Sequence, residues 1–342
     1  MLKSRMKYGA IAAKVMTMYG RLLKDEDWRR LYECRSVSDI YGFLRNHRGW
    51  SETVMALPAS SSPKVLQMSI RKTVYRDYEK LYNFSNLEDK KYLRFIIYQS
   101  EYELILEALR EKRSYERLSE VSVITDFMRR HSSVDIEALS QSKSFSDILN
   151  AVKGSIYEKP LSELKINPET GMPSYWEAGV FLENVYYKSV FSFLQKKYKG
   201  LGKKRIEEII GSEADLLNIV SIIRLHRNFP TSLERADELL IPVSYRLKPD
   251  FLHSLETAKS EDEALDLLRK SPFGQRFEGA GKANIESLYY KYMEELCIKL
   301  VKSFEPDLGV AQAYLVLKEL ECKKLLRVIE AIDSGIDPKT LV

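Results

Sequence analysis

The feature that most limits what this chain can fold into is a segment that occurs three times. LYECRSVSDIYGFL (31 to 44), LSQSKSFSDILNAV (139 to 152) and LETAKSEDEALDLL (255 to 268) align without a gap. Leu31, Leu139 and Leu255 coincide, as do Ser36, Ser144 and Ser260, and Asp39, Asp147 and Glu263. A serine followed three residues on by a carboxylate marks a helix N-terminus: the hydroxyl accepts from the N3 amide, and the anion lies near the positive end of the helix dipole. Register kept at three places predicts one helical unit used three times, and a repeat constrains the architecture before any single motif does.

The residues after each segment support that reading. A Pro/Gly-rich loop comes next: Leu57 to Lys64, Glu158 to Ser174, and Ser271 to Asn284. Then come tyrosine-bearing stretches at helical spacing, VYRDYEKLY (74 to 82), ENVYYKSVF (183 to 191) and ESLYYKYME (286 to 294). Each leads to a helix with two carboxylates one residue apart: Glu101 and Glu103, Glu213 and Asp215, Glu319 and Glu321. The only β-like run, Leu239 to Leu247, is broken by Pro242. The expectation is an all-α protein of three similar domains, residues 1–112, 113–229 and 230–342, about a pseudo-three-fold axis.

Composition removes several function classes. With 342 residues, 44% hydrophobic and 30% charged, the chain has enough apolar surface to exclude disorder as its main state. A net charge of +5 is far short of the one-sided excess of a dedicated polyanion binder. Uncharged stretches such as Leu308 to Leu317 reach about ten residues against the roughly 20 that span a bilayer, so no transmembrane helix is expected. Cys34, Cys297 and Cys322 have no C-x-x-C spacing and an odd count, which suits buried thiols in a reducing compartment, the cytoplasm. The first 24 residues carry Lys3, Arg5, Lys7, Lys14, Arg21 and Lys24 without an acid, a transit-peptide composition. The same stretch spaces Tyr8, Ile11, Val15, Met18 and Leu22 as a helix that packs on a core.

Catalytic chemistry finds no constellation. Gly274 to Ala283 is a near miss for a phosphate cradle, lacking the spacing, the hydroxyl and the preceding strand, and reads as a connector between helices. His47, His131, His226 and His253 show no metal-ligand spacing, His253 with Glu256 being the nearest pair. No catalytic residue, cofactor or metal is therefore assigned. The tyrosine pairs Tyr186-Tyr187 and Tyr289-Tyr290 read as core packing with a wet hydroxyl rather than as a stacking platform for single-stranded nucleic acid.

Residues two apart on a helix lie about 200° apart, so the members of each carboxylate pair face different surroundings. Glu101, Glu213 and Glu319 have mainly apolar neighbours at three and four residues, and are expected as structural buried carboxylates held by a tyrosine hydroxyl or a cation. Glu103, Asp215 and Glu321 are expected to look outward, as solvated groups or partner contacts. Lys196, Lys197, Lys199, Lys203, Lys204 and Arg205 crowd around Tyr198 and read either as a solvated helix end or as an anion-binding patch for nucleic acid, lipid headgroups or an acidic partner. The patch is too short to make nucleic acid the favoured partner.

The order of these elements, with Glu183 to Tyr187 (ENVYY), Glu213 to Ile219 (EADLLNI) followed by Arg224, and Lys318 to Glu321 (KELE), resembles the C-subunit family of the prokaryotic V/A-type ATPases, the counterpart of the d-subunit in eukaryotic V-ATPases. Asn218 has Leu106 and Lys324 at the matching places, so a role for that amide is not tripled. The resemblance implies a non-catalytic, funnel-like central-stalk component on the cytoplasmic face of the membrane, coupling the rotor shaft subunits to the proteolipid ring. Lys196, Lys197, Lys203, Lys204 and Arg205 join Glu103, Asp215 and Glu321 as candidate partner contacts. The alternative from another class is a helical-repeat scaffold that binds some other protein or an RNA.

Overall fold

The computed structural model describes residues 2–58, 61–110, 124–228, 233, 236–274, 285–303 and 306–341. Among them every named element is helical, and the one β-type pairing is an isolated bridge between Ile166 and Pro173. In chain order the helices are α1 (Leu2–Tyr19), α2 (Asp25–Tyr32), α3 (Val37–Asn46), α4 (Ser51–Met55), α5 (Pro63–Phe84), α6 (Leu87–Leu109), α7 (Asp126–His131), α8 (Ile136–Gln141) and α9 (Phe145–Ala151). They continue as α10 (Glu158–Ser162), α11 (Tyr175–Lys197), α12 (Gly200–Asn228), α13 (Ala236–Leu239), α14 (Pro249–Glu256), α15 (Glu261–Arg269), α16 (Ile285–Val301) and α17 (Leu308–Asp333). A short 3-10 turn, Pro338–Leu341, comes after them. Leu239 to Leu247 forms no strand.

The three aligned serines are each the N-cap of a helix. Ser36 Oγ accepts the Asp39 N–H at 3.1 Å, Ser144 Oγ accepts that of Asp147 at 3.2 Å, and Ser260 Oγ accepts that of Glu263 at 3.2 Å. In each case the carboxylate also reaches back to the backbone N–H of the residue before the serine: Arg35 at 3.1 Å, Lys143 at 3.0 Å and Lys259 at 2.7 Å. These bonds hold Asp39 and Asp147 below the ordinary aspartate pKa, chiefly through Ser36 for the first and the Lys143 amide for the second. Ser62 and Ser174 cap the tyrosine-bearing helices α5 and α11 through their hydroxyls, which accept the N–H groups of Val65 and Glu177. Capping of this kind is local, which is why it is legible from a span of four residues.

Two compact units emerge from the packing. The first takes Met1–Asn86, Ser114–Arg130 and Ile298–Val342; the second takes Leu87–Arg113 and His131–Cys297. In the first unit α17 lies along α5 and α1, over a core that contains Trp28, Leu31, Ile40, Leu44, Trp50, Leu66, Ile70, Leu325 and Ile329. In the second, α6 lies along α11, and α12 packs on α11, α14 and α15. The long carboxylate-bearing helices thus meet tyrosine-bearing helices further along the chain: α6 lies against α11, and α12 is bonded to α16 through Glu213–Tyr289 and Arg224–Glu286. The last one, α17, returns to the tyrosine helix α5 of the first. Both α12 and α17 bury residues at consecutive positions, such as Ile209 to Ser212 and Leu308 to Lys318, while the later part of α17 keeps an exposed stripe at Lys323, Lys324, Arg327 and Glu330.

No described helix is long and apolar enough to cross a membrane. Cys297 and Cys322 are buried free thiols, burial pushing Cys322 up to about 12, while Cys34 is half-buried. Tyr186 and Tyr187 are buried with their rings edge to face, as core packing requires. The cradle-like run after Gly274, residues 59–60 and the rest of the loop to Asn284 lie outside the described residues.

Candidate functional site

The carboxylate pairs organise the interior, but not with the facing that periodicity suggests. In the first repeat Glu101 is buried and Glu103 exposed, as expected. Glu101 accepts from Ser132 Oγ at 2.9 Å and from both the backbone N–H and the Oγ of Ser133, rather than from a tyrosine or a cation. Burial still holds its pKa above the ordinary glutamate value.

In the other two repeats the facing is reversed. Asp215 is 0% exposed and Glu321 is buried, whereas Glu213 and Glu319 are half-buried. Glu213 accepts from the Tyr289 hydroxyl at 3.2 Å, the tyrosine partner expected of it, and Glu319 pairs with Lys323 at 2.6 Å along its own helix. The reason lies in the covering of α12 and α17. A stripe of apolar neighbours identifies a buried side only when the opposite side is wet: α12 has no exposed residue from Arg205 to Ile223, and on α17 Glu319 heads an exposed stripe through Lys323, Lys324 and Arg327, its apolar neighbours Leu315 and Val316 belonging to the enclosed stretch before it. Asp215 and Glu321 are accordingly withdrawn from the candidate surface contacts, and Glu213 and Glu319 from the fully buried set.

Glu101, Asp215 and Glu321 instead form a structural triple. Each accepts backbone N–H from a segment just before a short helix: Ser133 before α8 for Glu101, Tyr245 to Leu247 before α14 for Asp215, and Leu23 before α2 for Glu321. The Asp215 carboxylate receives Tyr245 N–H at 3.1 Å, Arg246 N–H at 2.6 Å and Leu247 N–H at 3.1 Å. Despite three donors, desolvation leaves its pKa raised.

One face of α12 is built for this segment. Gly211, Asp215 and Asn218 stand at i, i+4 and i+7 and so share a side of the helix. Asn218 clamps Ile241 with both ends of its amide, donating to the carbonyl at 2.9 Å and accepting from the N–H at 2.8 Å. A Cβ at Gly211 would lie 2.5 Å from the Tyr245 side chain, so that ring seats only against glycine. The β-like run from Leu239 to Leu247 needs no ladder at Ile241 and Tyr245 to Leu247, where side chains of α12 satisfy backbone groups.

In the first unit, Glu321 Oε1 accepts the Leu23 N–H at 2.6 Å and Oε2 accepts from Lys318 Nζ at 2.7 Å. The Lys318 ammonium also sits 3.7 Å from the centre of the Trp50 ring, a buried cation–π contact. Burial acts to lower the Lys318 pKa, and the Glu321 carboxylate with Cys322 and Asp77 together outweighs it, so the pKa is raised. Periodicity missed this pair, although Lys318 three residues before Glu321 is a readable i,i+3 signal.

The basic cluster surrounds a tight helix-to-helix turn. α11 ends at Lys197, Tyr198 caps it, and Gly200 with φ +78° opens α12. Lys196, Lys197, Lys199 and Lys204 are exposed. Lys203 is held by Gln195 Oε1 at 2.8 Å and by Glu207 at 3.5 Å, and Arg205 is half-buried, so these two belong to the turn more than to its surface.

Glu183, in the ENVYY stretch, is pushed up to about 7 by burial. The fold therefore holds this proton more tightly than the unfolded chain does. Its stabilising contribution is present below the ordinary glutamate pKa and is lost as pH rises towards 7. Between about pH 5 and about pH 8 the wild-type chain is expected to lose up to about 3 kcal/mol more stability than Glu183→Gln, as read from urea midpoints; parallel pH profiles would remove Glu183 as the source.

Among the described residues no group of three or more His, Cys, Asp or Glu side chains converges as a metal site, and His253 meets Glu256 only as a pair at 3.4 Å. The arrangement is that of an all-α protein whose buried polar groups tie its segments together. The model of the ATP synthase (C/AC39) subunit family matches residues 11–341, and the chain belongs to that family. Among similar proteins, the A-type ATP synthase C-subunit of Thermococcus kodakarensis is 21% identical over 335 residues, covering 96% of this chain and 87% of that protein. The A-type ATP synthase C-subunit of Archaeoglobus fulgidus is 24% identical over 326 residues, covering 94% and 91%. That of Pyrococcus abyssi is 26% identical over 215 residues, covering 60% of this chain and 56% of that protein.

Proposed function

We propose that this chain is the central-stalk component of a V/A-type ATPase, without catalysis of its own, coupling the rotor shaft to the membrane proteolipid ring during ATP-linked proton or sodium transport. It lies on the cytoplasmic face of the membrane, attached through the ring. Residues 1–112, 113–229 and 230–342 are three copies of one helical unit about a pseudo-three-fold axis. The observation that carries the reading is the exchange of long helices, α6 to α11, α12 to α16 and α17 back to α5, in a chain of the ATP synthase (C/AC39) subunit family. Such an exchange links each repeat to the next and suits a part that passes torque, since packed helices resist shear as a body.

The test is a pull-down of the full chain from native membranes with its partners identified. Recovery of the proteolipid ring and shaft subunits is expected. Recovery of RNA or of unrelated proteins without any ATPase subunit would favour the scaffold alternative. Of the outward-facing carboxylates, Glu103 is the exposed one, and the contact test narrows to it. Glu103→Lys is expected to weaken association with shaft or ring about tenfold while the thermal midpoint stays unchanged. Unchanged affinity for both would put the docking surface elsewhere.

A further inference from the structure

We propose that the α11–α12 turn, together with the start of α6, is a docking surface for an anionic phospholipid headgroup layer, with Lys196, Lys197, Lys199 and Lys204 as its charged contacts and Leu87 and Leu201 as its apolar ones. The inference is separate from attachment through the ring. It requires contact with lipid by this chain alone.

Three observations carry it. Leu87 is 81% exposed and Leu201 is 42% exposed, both at the beginnings of long helices where the chain turns. The two turns are fastened to each other, for the Tyr198 hydroxyl lies 3.0 Å from the Glu88 carbonyl oxygen and 3.2 Å from Asp89 Oδ1. The Tyr198 ring is wedged between Tyr92 and Phe193, which fixes the turn on the body of the unit. The third observation is charge: the four lysines are exposed, and none has an ion-pair partner among the described residues, whereas neighbouring Lys203 is bound to Gln195 and Glu207.

Exposed leucines at the tip of a rigid turn, ringed by lysines, are the elements of interfacial anchoring. The apolar side chains enter the headgroup boundary, the alkyl stems of the lysines go in beside them, and the ammonium groups stay among the phosphates. A headgroup layer is fluid and accepts cations of no fixed geometry. A protein partner would instead need a broad complementary surface to bind the same two leucines.

The full chain would be sedimented with vesicles of phosphatidylcholine alone and of phosphatidylcholine containing about one third phosphatidylserine. Binding to the anionic vesicles is expected to be at least about tenfold tighter and to fall with added salt. The quadruple variant Lys196→Gln, Lys197→Gln, Lys199→Gln, Lys204→Gln is expected to lose at least about tenfold of that affinity. Leu87→Ser with Leu201→Ser is expected to weaken binding several-fold at unchanged salt dependence, and all variants should keep the wild-type thermal midpoint. Equal binding to both vesicle types, or full retention by the quadruple variant, would overturn the proposal. So would a wild-type chain that ignores vesicles yet binds the detergent-solubilised ring, or RNA, through these lysines. A ring pull-down that failed while vesicle binding held would count against the coupling role alone.

Discussion

Asp215→Ala is expected to lower the unfolding free energy by about 3 kcal/mol or more, against about 1 kcal/mol for Glu213→Ala. The first change removes the acceptor of three backbone N–H groups, from Tyr245, Arg246 and Leu247, at a site closed to solvent. Each buried donor left unpaired costs about 1 to 3 kcal/mol, and alanine offers no acceptor. The second change releases the Tyr289 hydroxyl from a half-buried residue. Asp215→Asn keeps one acceptor oxygen and should fall between the two. Urea midpoints measured side by side decide the matter; equal midpoints for the two alanine variants would remove Asp215 from its anchoring role.

The second large effect is expected at Glu321. Glu321→Ala leaves the Lys318 ammonium buried against Trp50 without its counter-ion, and leaves the Leu23 N–H without an acceptor. Breaking a buried ion pair from one side costs about 3 to 5 kcal/mol, because the surviving charge has been taken out of water without compensation. Glu321→Leu combined with Lys318→Met removes both charges. That double variant should recover all but the part due to the Leu23 amide, about 1 to 2 kcal/mol. A double-mutant cycle in urea supplies the comparison. A double variant no more stable than Glu321→Ala would mean that the damage comes from the Leu23 tie and not from the stranded lysine.

Both predictions concern ties between distant parts of the chain. Asp215 fastens a segment about 30 residues further on, and Glu321 fastens Leu23 across almost the whole sequence, 298 positions away. If the rotary reading holds, loosening either tie should reduce coupling of ATP turnover to ion movement before it reduces assembly, since the partner surfaces would persist on a less stiff body.

The sequence by itself determined that the fold is all-α and where the three helices after Ser36, Ser144 and Ser260 begin. Ser36, Ser144 and Ser260 specify their helices through bonds that span four residues, so no distant contact is needed to form them. The resemblance carried by ENVYY, EADLLNI and KELE rests on the order of the elements and led to the family directly. The tertiary structure alone decided which carboxylate of each pair turns inward. Periodicity separates core from solvent for a helix with one wet side, and it succeeded for Glu101 and Glu103 on α6. On α12 no residue near the pair is exposed, and on α17 the pair sits where an enclosed stretch meets an exposed stripe, so the choice between Glu213 and Asp215, or Glu319 and Glu321, falls to whichever can reach backbone N–H groups of a segment far away in the chain. Those donors are supplied by loop geometry at Tyr245 to Leu247 and at Leu23, and a buried anion without them would be driven to protonate or to leave the interior.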